Sequence, residues 1–134
     1  MEENLLVGKR ILVVEDSEEC RLLHETILEG MGCRVEVAIN GQEAIDKARQ
    51  GTFDAVLMDV LMPVMKGYEA IVEIRRMFSD LPIIVVTAYR IDLVEEKCYA
   101  CGANDYITKP FHAQQLAEKL VKWIAKGKSS KTSS

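Results

Sequence analysis

Apolar runs only about four residues long, most of them closing on an ionisable or hydroxyl residue, constrain this chain more than any other feature. Ile11-Leu12-Val13-Val14 runs into Glu15-Asp16 and Ala55-Val56-Leu57-Met58 into Asp59. Ile83-Ile84-Val85-Val86 runs into Thr87-Ala88, and Asp105-Tyr106-Ile107-Thr108 into Lys109-Pro110. Short apolar runs bounded by turn residues read as strands buried on both faces. Between them the apolar residues recur at helical spacing. A helix is expected over about 18–30, capped by Asp16 or Ser17 and ended by Gly30 and Gly32, with Leu22, Leu23, Ile27 and Leu28 as its apolar stripe. Val35 to Ala38 reads as an edge strand, and Asn40 caps a helix through Gln50 with Ala44, Ile45 and Ala48 inward. Phe53 to Met58 is the third strand. Pro63 and Gly67 mark a loop before a helix over 68–78 that turns Ala70, Ile71 and Ile74 inward. Pro82 opens the fourth strand, 91–101 make a helix ended by Gly102, and Tyr106 and Ile107 belong to the fifth strand. The last helix, about 112–126, buries Leu116, Leu120, Val121 and Ile124. Five strands alternating with five helices imply an α/β fold, a parallel sheet covered on both faces and joined by right-handed crossovers.

The 134 residues suffice for one domain with one buried core. It is expected over 9–126, with an N-terminal extension at 1–8 and a disordered Lys/Ser-rich tail at 127–134. A net charge of −4 gives no reason to expect direct nucleic-acid binding or attraction to an anionic membrane. No apolar run approaches the roughly 20 residues of a membrane span, so no membrane insertion is expected. The acidic start Met1-Glu2-Glu3-Asn4 is unlike a signal peptide. The four cysteines lie in segments that already read as strands and helices, which points to a reducing cytoplasm.

Ligands of open α/β sheets sit at the carboxyl ends of the strands. There the chain would bring together Glu15, Asp16 and Asp59, the Thr87 hydroxyl and the Lys109 ammonium. Three neighbouring carboxylates repel unless something neutralises them. A hard divalent cation does so, and Mg²⁺ fits best because it keeps several waters and completes its octahedral shell with a phosphate oxygen; Mn²⁺ is the substitute. An aspartate carboxylate can act as a nucleophile toward a phosphoryl group, with metal and ammonium neutralising the transferred charge. A cis Lys109-Pro110 bond is expected, although only about 5–6% of X–Pro bonds are cis.

These residues resemble the receiver (response-regulator) domain of two-component signal transduction, over roughly residues 8–126. The matching stretches are Ile11-Leu12-Val13-Val14-Glu15-Asp16-Ser17, the segment from Met58-Asp59 to Lys66-Gly67, Val85-Val86-Thr87-Ala88, and the segment from Gly102 to Lys109-Pro110-Phe111. The resemblance implies a three-layer, flavodoxin-like (βα)5 fold with strand order 2-1-3-4-5. It implies that Asp59 accepts a phosphoryl group from the phosphohistidine of a histidine kinase or phosphotransfer protein. Asp16 and Asp59 would ligate Mg²⁺ directly, Glu15 partly through water, and the Leu61 backbone carbonyl would be a further ligand. Thr87 and Lys109 would bind the phosphoryl group, and Tyr106 would turn inward as Thr87 moves. The face of the fourth helix, fifth strand and fifth helix would then meet a downstream effector. Such a domain is a switch, not an enzyme; it catalyses only its own phosphoryl transfer and dephosphorylation. Lys66 stands where the family often has a small acidic or amide residue, and Leu61 and Tyr89 occupy positions that tune dephosphorylation.

Plainer readings stand beside these. Glu15-Asp16 can cap a helix, Thr87 can satisfy backbone groups, Lys109 can be a solvated lysine and Tyr106 can be core packing. Cys98 and Cys101 read as small residues on a helix face, not half of a zinc site. His24 and His112 read as lone surface or half-buried residues, and Met58, Met62, Met65 and Met77 as packing. A flavin carrier on the same fold would need a phosphate loop where Glu15-Asp16 repels phosphate. An aspartyl phosphatase usually carries a second aspartate where this chain has Leu61. An unphosphorylated interaction domain of the same fold is the remaining alternative. Both a free-standing receiver and a module of a hybrid kinase or larger regulator fit the chain.

Overall fold

The computed structural model describes residues 5–59, 66–88, 96 and 98–133, with backbone alone for 66–67 and 127–133. Its strands are β1 (Arg10–Val14), β2 (Arg34–Ala38), β3 (Ala55–Asp59), β4 (Ile83–Thr87) and β5 (Asp105–Thr108). They form one sheet in the order β2-β1-β3-β4-β5, every pair parallel, as the resemblance implied. The helices are α1 (Glu18–Gly30), α2 (Gly41–Gln50) and α3 (Lys66–Met77). The described part of α4 is residues 98–101, and α5 is Ala113–Ser133.

Alternation along the strands feeds two cores. Ile11, Val13, Leu57, Ile84, Val86 and Ile107 point to the side where Leu28 of α1 and Leu116, Leu120 and Ile124 of α5 pack. Leu12, Val14, Val56, Met58, Ile83 and Val85 point to the other, against Ala44 and Ala48 of α2, Ile71 and Ile74 of α3 and Cys98. Central β3 and β4 are buried along their whole length, whereas edge strand β2 alternates toward solvent. That contrast separates the interior of a parallel sheet from its rim. Leu6, in the segment ahead of β1, is fully buried in the α1/α5 core.

Local signals act where expected. Ser17 caps α1 by accepting from the Cys20 N–H at 3.3 Å. Asn40 caps α2 by accepting from the Glu43 N–H at 2.8 Å, while the Glu43 carboxylate accepts from the Ile39 N–H. Gly102 leaves α4 with φ of +109°, and a Cβ there would also meet the Arg75 side chain at 3.1 Å.

Two expectations are corrected. Leu22 and Leu23 do not belong to the inward stripe of α1; they are 55% and 58% exposed. The inward line is Cys20, His24, Ile27, Leu28 and Met31, with His24 only 3% exposed, not at the surface. Two adjacent leucines resemble a stripe, but four-residue spacing selects the residues that face the sheet. The backbone of α5 is helical to Ser133. Leu61, Met62, Pro63, Met65, Tyr89 and most of the expected 91–101 helix lie outside the described residues, as does the Lys66 side chain.

Candidate functional site: a carboxylate cluster at the carboxyl edge of the sheet

The parallel register places the ends of β1, β3, β4 and β5 on one edge. Glu15 follows β1, with its N–H donating to the Ala38 carbonyl at 3.0 Å, so the chain turns out of the sheet there. Asp59 closes β3 and Thr87 closes β4; both are buried, at 2% and 0% exposure. Asp16 is exposed, and Arg21 donates to the carbonyls of Glu15 and Asp16, both at 3.1 Å, which fixes the turn. Lys109 follows β5; its N–H donates to the Thr87 carbonyl at 2.8 Å, and the Lys109-Pro110 bond is cis as expected.

One oxygen from each of Glu15, Asp16 and Asp59 lies within 4.8 Å of the others. The Lys109 ammonium donates to Glu15 Oε1 at 2.9 Å and to Asp59 Oδ2 at 3.3 Å. It also meets the Cys20 thiol at 3.6 Å. The structure thus brings Glu15, Asp16, Asp59 and Lys109 together, and places the Thr87 backbone beside Lys109. Tyr106 sits farther back on β5, half-buried, edge-on to Tyr99 with ring centroids 6.3 Å apart and with Lys119 Nζ 5.6 Å from its ring.

The electrostatics show a cluster short of positive charge. Burial first, then the hydrogen bond and charge of Asp59, push the Glu15 carboxyl up from 4.5 to about 7 against the pull of Lys109 and the Ser17 N–H. Burial alone would lower Lys109, but its bond to Glu15, the charges of Asp59 and Glu15 and its bond to Asp59 outweigh that and push it up to about 12. One ammonium therefore faces three carboxyls, two of them buried. Hard oxygen donors in this number and spacing fit a small divalent cation that keeps waters in its shell.

Two neighbours escaped the sequence reading. Cys20 reaches Lys109, and His24 stacks on Phe111 with centroids 5.2 Å apart and planes at 29°. Burial and the Lys109 charge, opposed by that of Asp59, lower His24 to about 4, so it is neutral near pH 7. The four-residue step from Cys20 through His24 to Leu28 was the available signal.

Fold and site together define a signalling module built around an acidic pocket. The family model described as the response regulator receiver domain matches residues 11–121, and the chain belongs to this family. Among curated relatives, the sensor protein GacS of Pseudomonas syringae pv. syringae is 40% identical over 119 residues, covering 85% of this chain and 13% of the relative. The chain thus spans only a small part of that sensor kinase. The chemotaxis protein CheY of Thermotoga maritima is 36% identical over 117 residues, covering 87% of this chain and 98% of the relative. Among solved structures, the receiver domain of sensor histidine kinase PA1611 from Pseudomonas aeruginosa PAO1 superposes with a TM-score of 0.82 at 37% identity. That match covers 89% of this chain and 99% of the other, whose structure holds a magnesium ion in its active-site cleft.

Proposed function

We propose that this domain is a phosphorylation-controlled switch in which Asp59 takes a phosphoryl group from the phosphohistidine of a histidine kinase or phosphotransfer protein. The observation that carries this reading is the cluster of three carboxylate oxygens within 4.8 Å, with the Lys109 ammonium bonded to two of those residues. Glu15, Asp16 and Asp59 would hold Mg²⁺ or Mn²⁺, with the Leu61 carbonyl as a further ligand. The bound cation supplies charge neutralisation at the transferring group.

In the step itself an Asp59 oxygen attacks phosphorus and the phosphorus–nitrogen bond to the donor imidazole breaks. The bonding pair stays on that nitrogen, which takes up a proton. Asp59 changes from carboxylate to acyl phosphate, so Lys109 loses one anionic partner and follows the charge outward to a phosphoryl oxygen. Thr87, one residue beyond the register pair Asp59–Val86 on the neighbouring strand, offers its hydroxyl to another oxygen. Thr87 moving toward the phosphoryl group would open room for Tyr106, which stands on adjacent β5. The surface of α4, β5 and α5 would then change its partner affinity; the module does no other chemistry. The switch rests on phosphorylation adding about two negative charges at one point.

Exposed Leu22 and Leu23 on α1 offer apolar surface that a phosphoryl donor could cover. A cytoplasmic setting belongs to this reading, and no helix among the described residues is long and apolar enough to cross a membrane. The test is treatment with a small phosphodonor plus Mg²⁺, followed by intact mass. One acid-labile phosphate per chain is expected, lost with EDTA and lost in Asp59→Asn. Equal labelling of Asp59→Asn would overturn the reading and favour an unphosphorylated interaction domain.

A further inference from the structure

Lys109 does not reach the crevice unaided. Cys20 and His24 stand one turn apart on α1, on the side turned away from exposed Leu22 and Leu23. Cys20 Sγ accepts from Lys109 Nζ at 3.6 Å, while the His24 ring stacks on Phe111 at 5.2 Å. With Glu15 and Asp59, the thiol gives the ammonium a partner for each of its three protons, although sulfur is a weak acceptor. The stack seizes the chain two residues farther on. It involves a neutral imidazole 3% exposed, so it holds by ring contact rather than charge.

We propose that Cys20 and His24 are positioning residues that clamp the Lys109–Pro110–Phe111 turn onto α1 and so set where the ammonium stands over Asp59. The proposal rests on the phosphoryl-accepting reading of Asp59 for its kinetic consequence. A lysine side chain gives up rotamer entropy when fixed, and holding the turn from α1 spares part of that ordering from the chemical step. It also means that a partner pressing on the outer face of α1 acts on the lysine through the inner face of the same helix.

The test compares His24→Ala, His24→Phe and Cys20→Ala, each with Lys109 present and in a Lys109→Ala background. Phosphorylation is driven by acetyl phosphate and Mg²⁺, well below the melting temperature of every variant. With Lys109 present, His24→Ala and Cys20→Ala should slow the step roughly three- to tenfold, in kcat more than in KM. His24→Phe, which keeps a ring on Phe111, should restore the rate. In the Lys109→Ala background His24→Ala and Cys20→Ala should cost nothing further. The Lys109 ¹³Cε resonance of the metal-free protein should move in His24→Ala and Cys20→Ala and stay in place in His24→Phe. An equal fractional loss in both backgrounds, or an unmoved resonance, overturns the clamp. If the unmodified protein takes no phosphate, the functional reading fails while the resonance still judges the clamp.

Discussion

Glu15 ties the stability of the protein to pH. Its carboxyl is raised from 4.5 to about 7 in the folded, metal-free protein. The native state thus binds more protons than the unfolded chain within that window. The contribution is fully present below pH 4.5 and is lost as pH rises through about 7. At about 1.4 kcal/mol per unit the loss is on the order of 3 kcal/mol. Lys109, raised from 10.5 to about 12, adds stability that persists below 10.5 and goes only as pH passes about 12. His24, lowered from 6.5 to about 4, works the other way, its stability being lost as pH falls below about 6.5. The Glu15 effect is therefore read as a difference: in urea unfolding without metal, raising the pH from about 5 to about 8 should shift the midpoint less favourably in the unmodified protein than in Glu15→Gln. The residues of this cluster were readable from their places after apolar runs. The depth of Glu15 was not, since burial depends on what the rest of the fold lays over it. His24 was misread because the adjacent leucines outweighed its four-residue step to buried Leu28.

Among the elements, α1 shows how phase outranks composition. Leu22 and Leu23 are an adjacent apolar pair, yet the helix buries His24 and Leu28, because Ser17 and the strand before it fix which side meets the sheet. A different fastening holds the C-terminal end of α3. Arg75 donates to the carbonyls of Gly102, Phe78, Ser79 and Leu81 and to Asn104 Oδ1, at distances from 2.7 to 3.0 Å. Asn104 Oδ1 also accepts from the Ile83 N–H at 2.8 Å. One guanidinium thus ties α3, the entry to β4 and the turn after α4. Lysine cannot reproduce its planar fork. Arg75→Lys should destabilise the domain by about 2–3 kcal/mol, read as a lower urea midpoint at an unchanged denaturant slope, and Arg75→Ala should cost at least as much. Helix limits were legible where a cap or glycine marks them, at Ser17, Asn40 and Gly102.

For the whole molecule, cation binding and folding are linked because the acidic cluster exists only when β1 and β3 lie side by side. Magnesium at about a hundredfold over its dissociation constant should add about 2.7 kcal/mol to the unfolding free energy. The gain should be larger near pH 8 than near pH 5, because Glu15 must shed its proton to serve the cation. Asp59→Asn should reduce it; an identical gain in that variant would place the ion elsewhere. The order of short apolar runs, their closing residues and the intervening helical periods determined by themselves the element sequence, the parallel sheet and which side chains meet at its carboxyl edge. They can do so because strand burial and chain direction are local consequences of hydrophobic patterning. Only the tertiary structure decided which face of α1 turns inward, that His24 and Cys20 grip the turn bearing Lys109, and that Arg75 closes the opposite rim. Those facts come from contacts between residues far apart in the chain, whose partners are chosen by packing and not by neighbouring sequence.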